Sequence, residues 1–391
     1  MAMLIIDSHP VQYRVPVYRE MARGLAEHGC GLRVIYGSDS SVRGALDEGF
    51  GQRVAWDEPM LDGYESEFLP DAKACMSGGF SAIEGRGIEA RIRELRPTAI
   101  LLNGINYKLF VRAMIAARRV GIPLWLRSET QDDAFTRAAW KAVLRRGVYC
   151  AAYAQFAHFF PIGEANAAHY RAHGVREEQM TFARYCVVDR FAGTAEERAA
   201  RGAAKRAELG VPADVQLVMF SGKLIPKKNP GVLLDALERL SPAERSRFAL
   251  LLVGSGEQEG ELRRRAESLP EVRAIFAGFV NQAKIGDFYL ASDALALPSR
   301  QMGETWGLVA NEALMAGKPI ILSRYAGSSR DFAGFAGVQV VEPAAGPIAE
   351  ALRALPSQAR GEVVRSQLAL YSIEAAASAI QEQFLARALP V

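Results

Sequence analysis

The strongest constraint on this chain is a repeated alternation: a short apolar run, a loop, then a stretch with apolar residues at helical spacing. Apolar runs of strand length fall at residues 3–6, 32–36, 99–102, 122–126, 158–162 and 180–183. A second series falls at 215–220, 248–253, 272–276, 294–297, 319–322 and 338–341. Between them, positions such as Val232, Leu233, Ala236, Leu237 and Leu240 share one helix face. Strand and helix in alternation build parallel sheets with helices on both faces. Two series of about six strands therefore predict an α/β chain with two such sheets. The stretch 193–212 is charged and Ala-rich without strand character, and a fresh strand follows it. The seam is expected near Gly193, giving a first domain of residues 1–192 and a second of 193–371. The last segment, 372–391, is helical in pattern and is expected to cross back onto the first domain.

A chain of 391 residues that is 50% hydrophobic and 23% charged has material for two cores. Its net charge of +3, from 47 basic and 44 acidic side chains, is too balanced to indicate nucleic acid as a partner. Cys30, Cys75, Cys150 and Cys186 lie far apart with no C-x-x-C pair, as expected of reduced thiols in the cytoplasm. The first seven residues carry no basic region and read as a strand, and no apolar run approaches the roughly 18 residues of a membrane span.

In open parallel sheets, ligands bind outside the carboxyl ends of the strands. Three loops there carry chemistry. In the first, Lys223, Lys227 and Lys228 precede Asn229 and Pro230, which suit a helix N-cap and first helical residue. Cations crowding a helix N-terminus suit a phosphate or diphosphate between them, and solvated loop lysines fit the same pattern. In the second, Gly254-Ser-Gly256 with Gly260 resembles a dinucleotide fingerprint superficially, but the third Gly falls one position late. In the third, Glu304 lies before a helix starting after Gly307, and Glu312 lies inside it. A loop carboxylate accepts hydrogen bonds from sugar hydroxyls, one on the helix grips a ribose diol, and first-turn amides hold phosphate or sugar oxygens. Two helix-surface carboxylates are the simpler reading of that pair alone.

The embedding of the pair is more specific. P-S-x4-E-T-W-G-L-V-x-N-E-A-L-x-A-G-K-P-I, from Pro298 to Ile320, strongly resembles the signature of the retaining GT-B glycosyltransferases that use nucleotide sugars, "glycosyl transferases group 1". S-G-K-L-x-P-K-K-N-P, V-G-x-G at Val253 and A-G-F-V at Ala277 occur upstream in that family's order. In the first domain the resemblance rests on His9-Pro-Val-Gln12-Tyr13-Arg-Val-Pro16 and on Tyr185-Cys-Val-Val-Asp189-Arg-Phe191. It implies two Rossmann-like domains facing a cleft, the second binding donor and the first acceptor. It implies transfer of a sugar from a nucleoside diphosphate to an acceptor hydroxyl with retention of configuration.

Position by position, the resemblance implies that Lys223 and Lys228 neutralise the diphosphate and that Glu304 contacts the transferred sugar. Backbone around Trp306, Gly307, Leu308 and Val309 would hold sugar and β-phosphate, and Glu312 the ribose. Gly222, Gly254 and Gly256 would line the donor pocket. His9, Gln12, Arg127 and Glu129 are candidates for the acceptor or the reacting centre, and each also reads as an ordinary loop or core polar residue. No D-x-D occurs, so no metal and no cofactor beyond the nucleotide sugar is expected. A nucleotide-sugar 2-epimerase of the same fold and a non-catalytic nucleotide-sugar binder are the rival classes. The acceptor is a sugar, a small molecule or lipid-linked.

Between Lys108 and Arg146 lie nine cations and three acids, and Arg137, Lys141 and Arg145 share a helix face beside Trp140, Leu144 and Val148. That basic face suits peripheral contact with an anionic membrane through residues 108–146, while a solvated helix covering its own sheet fits the same spacing.

Overall fold

The computed structural model describes residues 1–47, 52–54, 58–72, 79–269, 271–358 and 365–389. Cys75 lies outside them; Cys30, Cys150 and Cys186 are free thiols.

Two six-stranded parallel sheets form the chain. The first contains β1 (Ala2–Asp7), β2 (Gly31–Tyr36), β3 (Glu65–Phe68), β4 (Ala99–Leu102), β5 (Leu124–Leu126) and β6 (His158–Phe159). The second contains β7 (Gln216–Ser221), β8 (Phe248–Val253), β9 (Arg273–Gly278), β10 (Ala294–Leu297), β11 (Ile320–Ser323) and β12 (Val338–Val341). Spatial order is β3-β2-β1-β4-β5-β6 in one and β9-β8-β7-β10-β11-β12 in the other. This is the α/β, two-domain, Rossmann-like arrangement expected from the alternation. The central strands are uniformly apolar because helices cover both faces: Met3 and Ile5 pack with Tyr18 and Met21 on one side of β1, Leu4 and Ile6 with Phe110 and Ala113 on the other. In the second domain Leu217 and Met219 face Tyr289, while Val218 and Phe220 face Leu233.

One strand differs from expectation in each direction. Residues 180–183 make a single bridge, Phe159 to Met180, and continue as extended chain. The sixth strand of the first sheet is instead β3, with sequence ESEF, paired to β2 from Arg33–Glu65 to Tyr36–Phe68. Its two glutamates are held by Arg33 and Arg91, so an edge strand here is built on ion pairs at the solvent margin.

The helix Ala195–Glu208 opens on a capping box between Thr194 and Glu197 and packs on Gln282–Ala291 of the second domain. The last helix, Ile373–Ala388, returns to the first domain. Its Ile380 and Phe384 join the cluster around Met21 and Trp125, and Gln381 Nε2 donates to the carbonyls of Glu20 and Met21 at 3.1 Å. The chain thus crosses between the domains twice.

Asp331 of the second domain accepts from the Glu164 amide at 2.9 Å and from Tyr371 Oη at 3.1 Å. Burial pushes its pKa up from 3.8 to about 6, against those hydrogen bonds and Arg184. The folded state therefore binds this proton more tightly than the unfolded chain, so the carboxyl's contribution to stability falls as pH rises from about 4 to 6. Asp331→Asn keeps an acceptor for the amide and removes the charge. Its Tm is expected to exceed that of the parent by a few degrees at pH 8 and to match it near pH 4, read by thermal melts at the two pH values.

Candidate active site

Each sheet reverses its winding between two central strands, β1 and β4 in the first and β7 and β10 in the second. Helices leave these strands to opposite faces, which opens a crevice at their carboxyl ends. The lysine loop follows β7 and the Glu304 loop follows β10, so the switch point itself brings together two segments far apart in sequence.

There, Lys228 Nζ donates to Glu304 Oε2, and Ser299 Oγ donates to the same oxygen at 2.9 Å. Lys227 Nζ caps the Gly303 carbonyl at 2.7 Å. Burial alone would raise the Glu304 pKa, but the charges of Lys228 and Lys227 and the Ser299 hydroxyl outweigh it and hold the carboxylate ionised. Burial lowers the Lys227 pKa, and the charges of Lys228 and Lys223 add to the effect against the opposing carboxylate of Glu304. Such a cluster is built for an anion.

The lysine loop is locked by backbone to the Gly254 loop, and that loop to the end of β9. Gly222 N–H donates to Val253 O at 2.9 Å, Leu224 N–H to Ser255 O at 2.9 Å, and Gly254 N–H to Gly278 O at 2.8 Å. A Cβ on Gly254 would lie 1.9 Å from the Gly222 carbonyl oxygen. The chain itself therefore requires this glycine, whatever it binds. Asn229 is not the expected side-chain cap. It sits at φ 58° with Nδ2 donating to Pro298 O at 3.2 Å and Oδ1 accepting from Arg300 Nε at 2.9 Å. The helix starts one residue later than expected, at Gly231. Asn tolerates the left-handed region where β-branched residues do not, and here it ties the lysine loop to the Glu304 loop.

Glu312 is buried on the helix Val309–Met315. It accepts from Tyr289 Oη at 2.5 Å and, across the cleft, from Tyr13 Oη at 3.4 Å. Burial raises its pKa, against Tyr289, Arg190 and Tyr13. Gly307 and Leu308 lead into that helix, where the Ala310 amide donates to the Gly307 carbonyl at 2.9 Å. Trp306 points away from the crevice. Its Nε1 donates to Asn311 Oδ1 at 2.7 Å, its ring meets Tyr185, Phe332 and Tyr371, and a Cβ on Gly163 would lie 2.1 Å from it. Its carbonyl accepts from the Ser328 amide at 3.1 Å and Ser328 Oγ at 2.8 Å, and the ring joins the domains.

From the first domain, Gln131 Nε2 donates to the Glu304 carbonyl at 2.7 Å, and Thr305 Oγ1 donates to Glu129 Oε2 at 3.4 Å. Glu129 also accepts from Tyr185 Oη. Its carboxylate therefore lies one residue from Glu304 on the opposite wall. Arg127 is buried, donates through Nε to Ala183 O at 3.2 Å and lies 5.0 Å from the ring centroid of Tyr185, the hydrogen-bond partner of Glu129. His9 follows β1 with Nδ1 2.9 Å from Ser8 Oγ. Burial and the Arg14 charge push its pKa down to about 3, so the ring is neutral. Gln12 is buried with Oε1 lacking a hydrogen bond, next to Tyr13. Sequence reasoning missed Tyr13 as a Glu312 partner, along with Tyr289, Ser299 and Gln131, since none lies at a diagnostic spacing from the carboxylates. A cavity of about 730 Å³ at Pro97, Gly121 and Trp125 lies at the amino ends of the first sheet, away from these loops.

Residues 203–360 match the model of the glycosyl transferases group 1, and residues 15–186 match the glycosyl transferase 4-like domain. The second half of the chain is thus similar to the group 1 glycosyl transferases, and the first half to the glycosyl transferase 4-like domain. A D-inositol 3-phosphate glycosyltransferase of Kineococcus radiotolerans is 35% identical over 136 residues, 32% of this chain and 30% of that protein. One from Streptomyces griseus is 35% identical over 155 residues, 37% and 32% respectively. The matched stretch thus spans about a third of these curated relatives. Among solved structures, Anabaena HepE in complex with UDP and glucose aligns with TM-score 0.69 at 16% identity, over 97% of this chain and 98% of that one. A glycosyltransferase from Rickettsia africae aligns with TM-score 0.70 at 13% identity over 100% and 99%. These likenesses give the fold, GT-B, for both domains. Within the stretch matched by the group 1 model, the Lys228–Glu304 and Glu312 loops lie at the switch point of the second sheet. No helix among the described residues is long and apolar enough to cross a membrane.

Proposed function

We propose that the protein transfers a sugar from a nucleoside diphosphate sugar to an acceptor hydroxyl with retention of anomeric configuration. The observation that carries this reading is the Lys228–Glu304–Ser299 cluster, with two more lysines beside it and Glu129 facing it across the cleft. The lysines neutralise the diphosphate as it leaves, and Glu304 and the adjoining amides orient the sugar. Glu312 holds the ribose. A ribose diol placed there replaces the long Tyr13 contact, which couples donor binding to the first-domain wall. Closure of the two domains keeps water from the donor. Attack from the face the leaving group occupies lets a diphosphate oxygen take the acceptor proton, so no side chain is assigned as base. The UDP and glucose of the Anabaena neighbour and the transferase names of the curated relatives support this class.

The test is a panel of nucleoside diphosphate sugars, UDP-glucose first, screened by thermal shift and then by nucleotide release. A donor at about 100 times its Kd adds about 2.7 kcal/mol to stability. Release that needs an added acceptor and survives exhaustive chelation is the expected result. Turnover without acceptor identifies an epimerase or hydrolase, binding without turnover a carrier, and activity lost to EDTA and restored by Mg²⁺ assigns the charge work to a metal.

A further inference from the structure

The helix Ala139–Tyr153 of the first domain does not cover its sheet. From 138 to 148 every residue but Arg145 is exposed, and Trp140, Val143, Leu144 and Val148 are 67%, 72%, 64% and 61% exposed. At 3.6 residues per turn these four occupy an arc of roughly 140°. The opposite arc holds the helix to the body: Arg145 pairs with Asp132, and the Tyr149 and Tyr153 rings pack against His169 and His173. The apolar stripe therefore points outward by construction. Lys141 and Arg146 flank it on its two sides, both exposed. Of the other cations in this region, Arg127 is buried, Arg137 donates to the Asp132 and Phe135 carbonyls, Lys108 and Arg112 pair with Glu84 and Glu89, and Arg118 and Arg119 are exposed on the preceding helix, where Arg118 donates to Gln155. The basic face expected on Ala139–Tyr153 is thus interrupted, with Arg137 and Arg145 turned to internal partners. What stands in its place is an apolar ridge edged by cations.

We infer that this ridge seats the first domain on an anionic lipid surface, with Trp140, Val143, Leu144 and Val148 in the headgroup–acyl boundary and Lys141 and Arg146 at the headgroups. A single convex helix offers no groove for a protein knob, and its flanking charge is complementary to an anionic leaflet. Lys141 Nζ lies 5.3 Å from the Trp140 ring centroid, at the edge of the ridge. Just before the helix, residues 131–136 grip the Glu304 loop: Gly303 N–H donates to Ala134 O at 2.7 Å, and Phe135 bridges Met302. The docked face is therefore beside the cleft mouth, the position from which an acceptor carried on a lipid enters.

The test is co-sedimentation with vesicles of phosphatidylcholine alone or mixed with phosphatidylglycerol, at low and high salt. It uses neither donor nor turnover, so its outcome is separate from that of the transferase reading. Binding to the anionic vesicles that weakens with salt is expected. Leu144→Glu should abolish it, and Lys141→Gln and Arg146→Gln should each weaken it roughly fivefold, the equivalent of about 1 kcal/mol per cation. Thermal melts of these exposed-site variants should match the parent. Absence of binding at low salt overturns the inference. So does a concentration-dependent dimer that Leu144→Glu dissociates, which would assign the ridge to a second copy of the chain.

Discussion

Glu304→Gln is expected to lower kcat by about 100-fold or more while leaving the affinity for free nucleoside diphosphate within about twofold. The carboxylate is held by Lys228 and Ser299 at the end of β10. Its charge orients Lys228, and in the proposed role it accepts from hydroxyls of the sugar being transferred. A glutamine keeps the shape and one acceptor but releases Lys228 from its counter-charge, so the loss concentrates in the transition state, where charge on the diphosphate grows. Steady-state kinetics and calorimetry with the free nucleotide separate the two quantities. Parental turnover, or a loss confined to nucleotide affinity, would remove Glu304 from the role proposed for it.

Glu312→Ala is expected to do the reverse. Affinity for the nucleoside diphosphate should fall by about 1.5–3 kcal/mol, the range for hydrogen bonds to a charged group. Glu312 is buried and bound by Tyr289, with Tyr13 reaching it at 3.4 Å. The geometry leaves one carboxylate oxygen weakly engaged, the one a diol can take over. Because truncation also strands the Tyr289 hydroxyl, the melt of the variant is measured beside the titration. Unchanged affinity with lowered stability would make Glu312 a core acceptor and no more.

The central strands were legible because burial on both faces leaves an unbroken apolar run, as in β8 (FALLLV) and β10 (ALAL). β3 was not, since an edge strand reads as polar and its pairing is visible only once Arg33 and Arg91 are seen over Glu65 and Glu67. Residues 180–183 misled for the converse reason: three of the four are apolar, but they lie past the last paired strand, where one bridge is all that β6 offers. The carboxylates and lysines of the site stood out by motif. Their partners did not, because Tyr13 and Glu312 are 299 residues apart and meet only when the two sheets face each other. Asn229 shows a subtler limit: Asn before Pro reads equally as a cap and as a left-handed corner, and tertiary contacts with Pro298 and Arg300 select the corner.

The return of the last helix to the first domain sets how the clamp opens. A body hung from one strand of chain swivels in every direction, whereas one hung from two is restrained to turn about the line that joins them. Here one crossing precedes Thr194 and the other leads into the helix at Ile373, whose Phe384 is anchored in the first core. On the proposed closure, Tyr13 and Glu312, Gln131 and the Glu304 carbonyl, and Glu129 and Thr305 would separate and rejoin as one jaw along a single arc, without a search over orientations. The terminal helix acts as the second pin of a hinge, and each closure returns the catalytic loops to the same register.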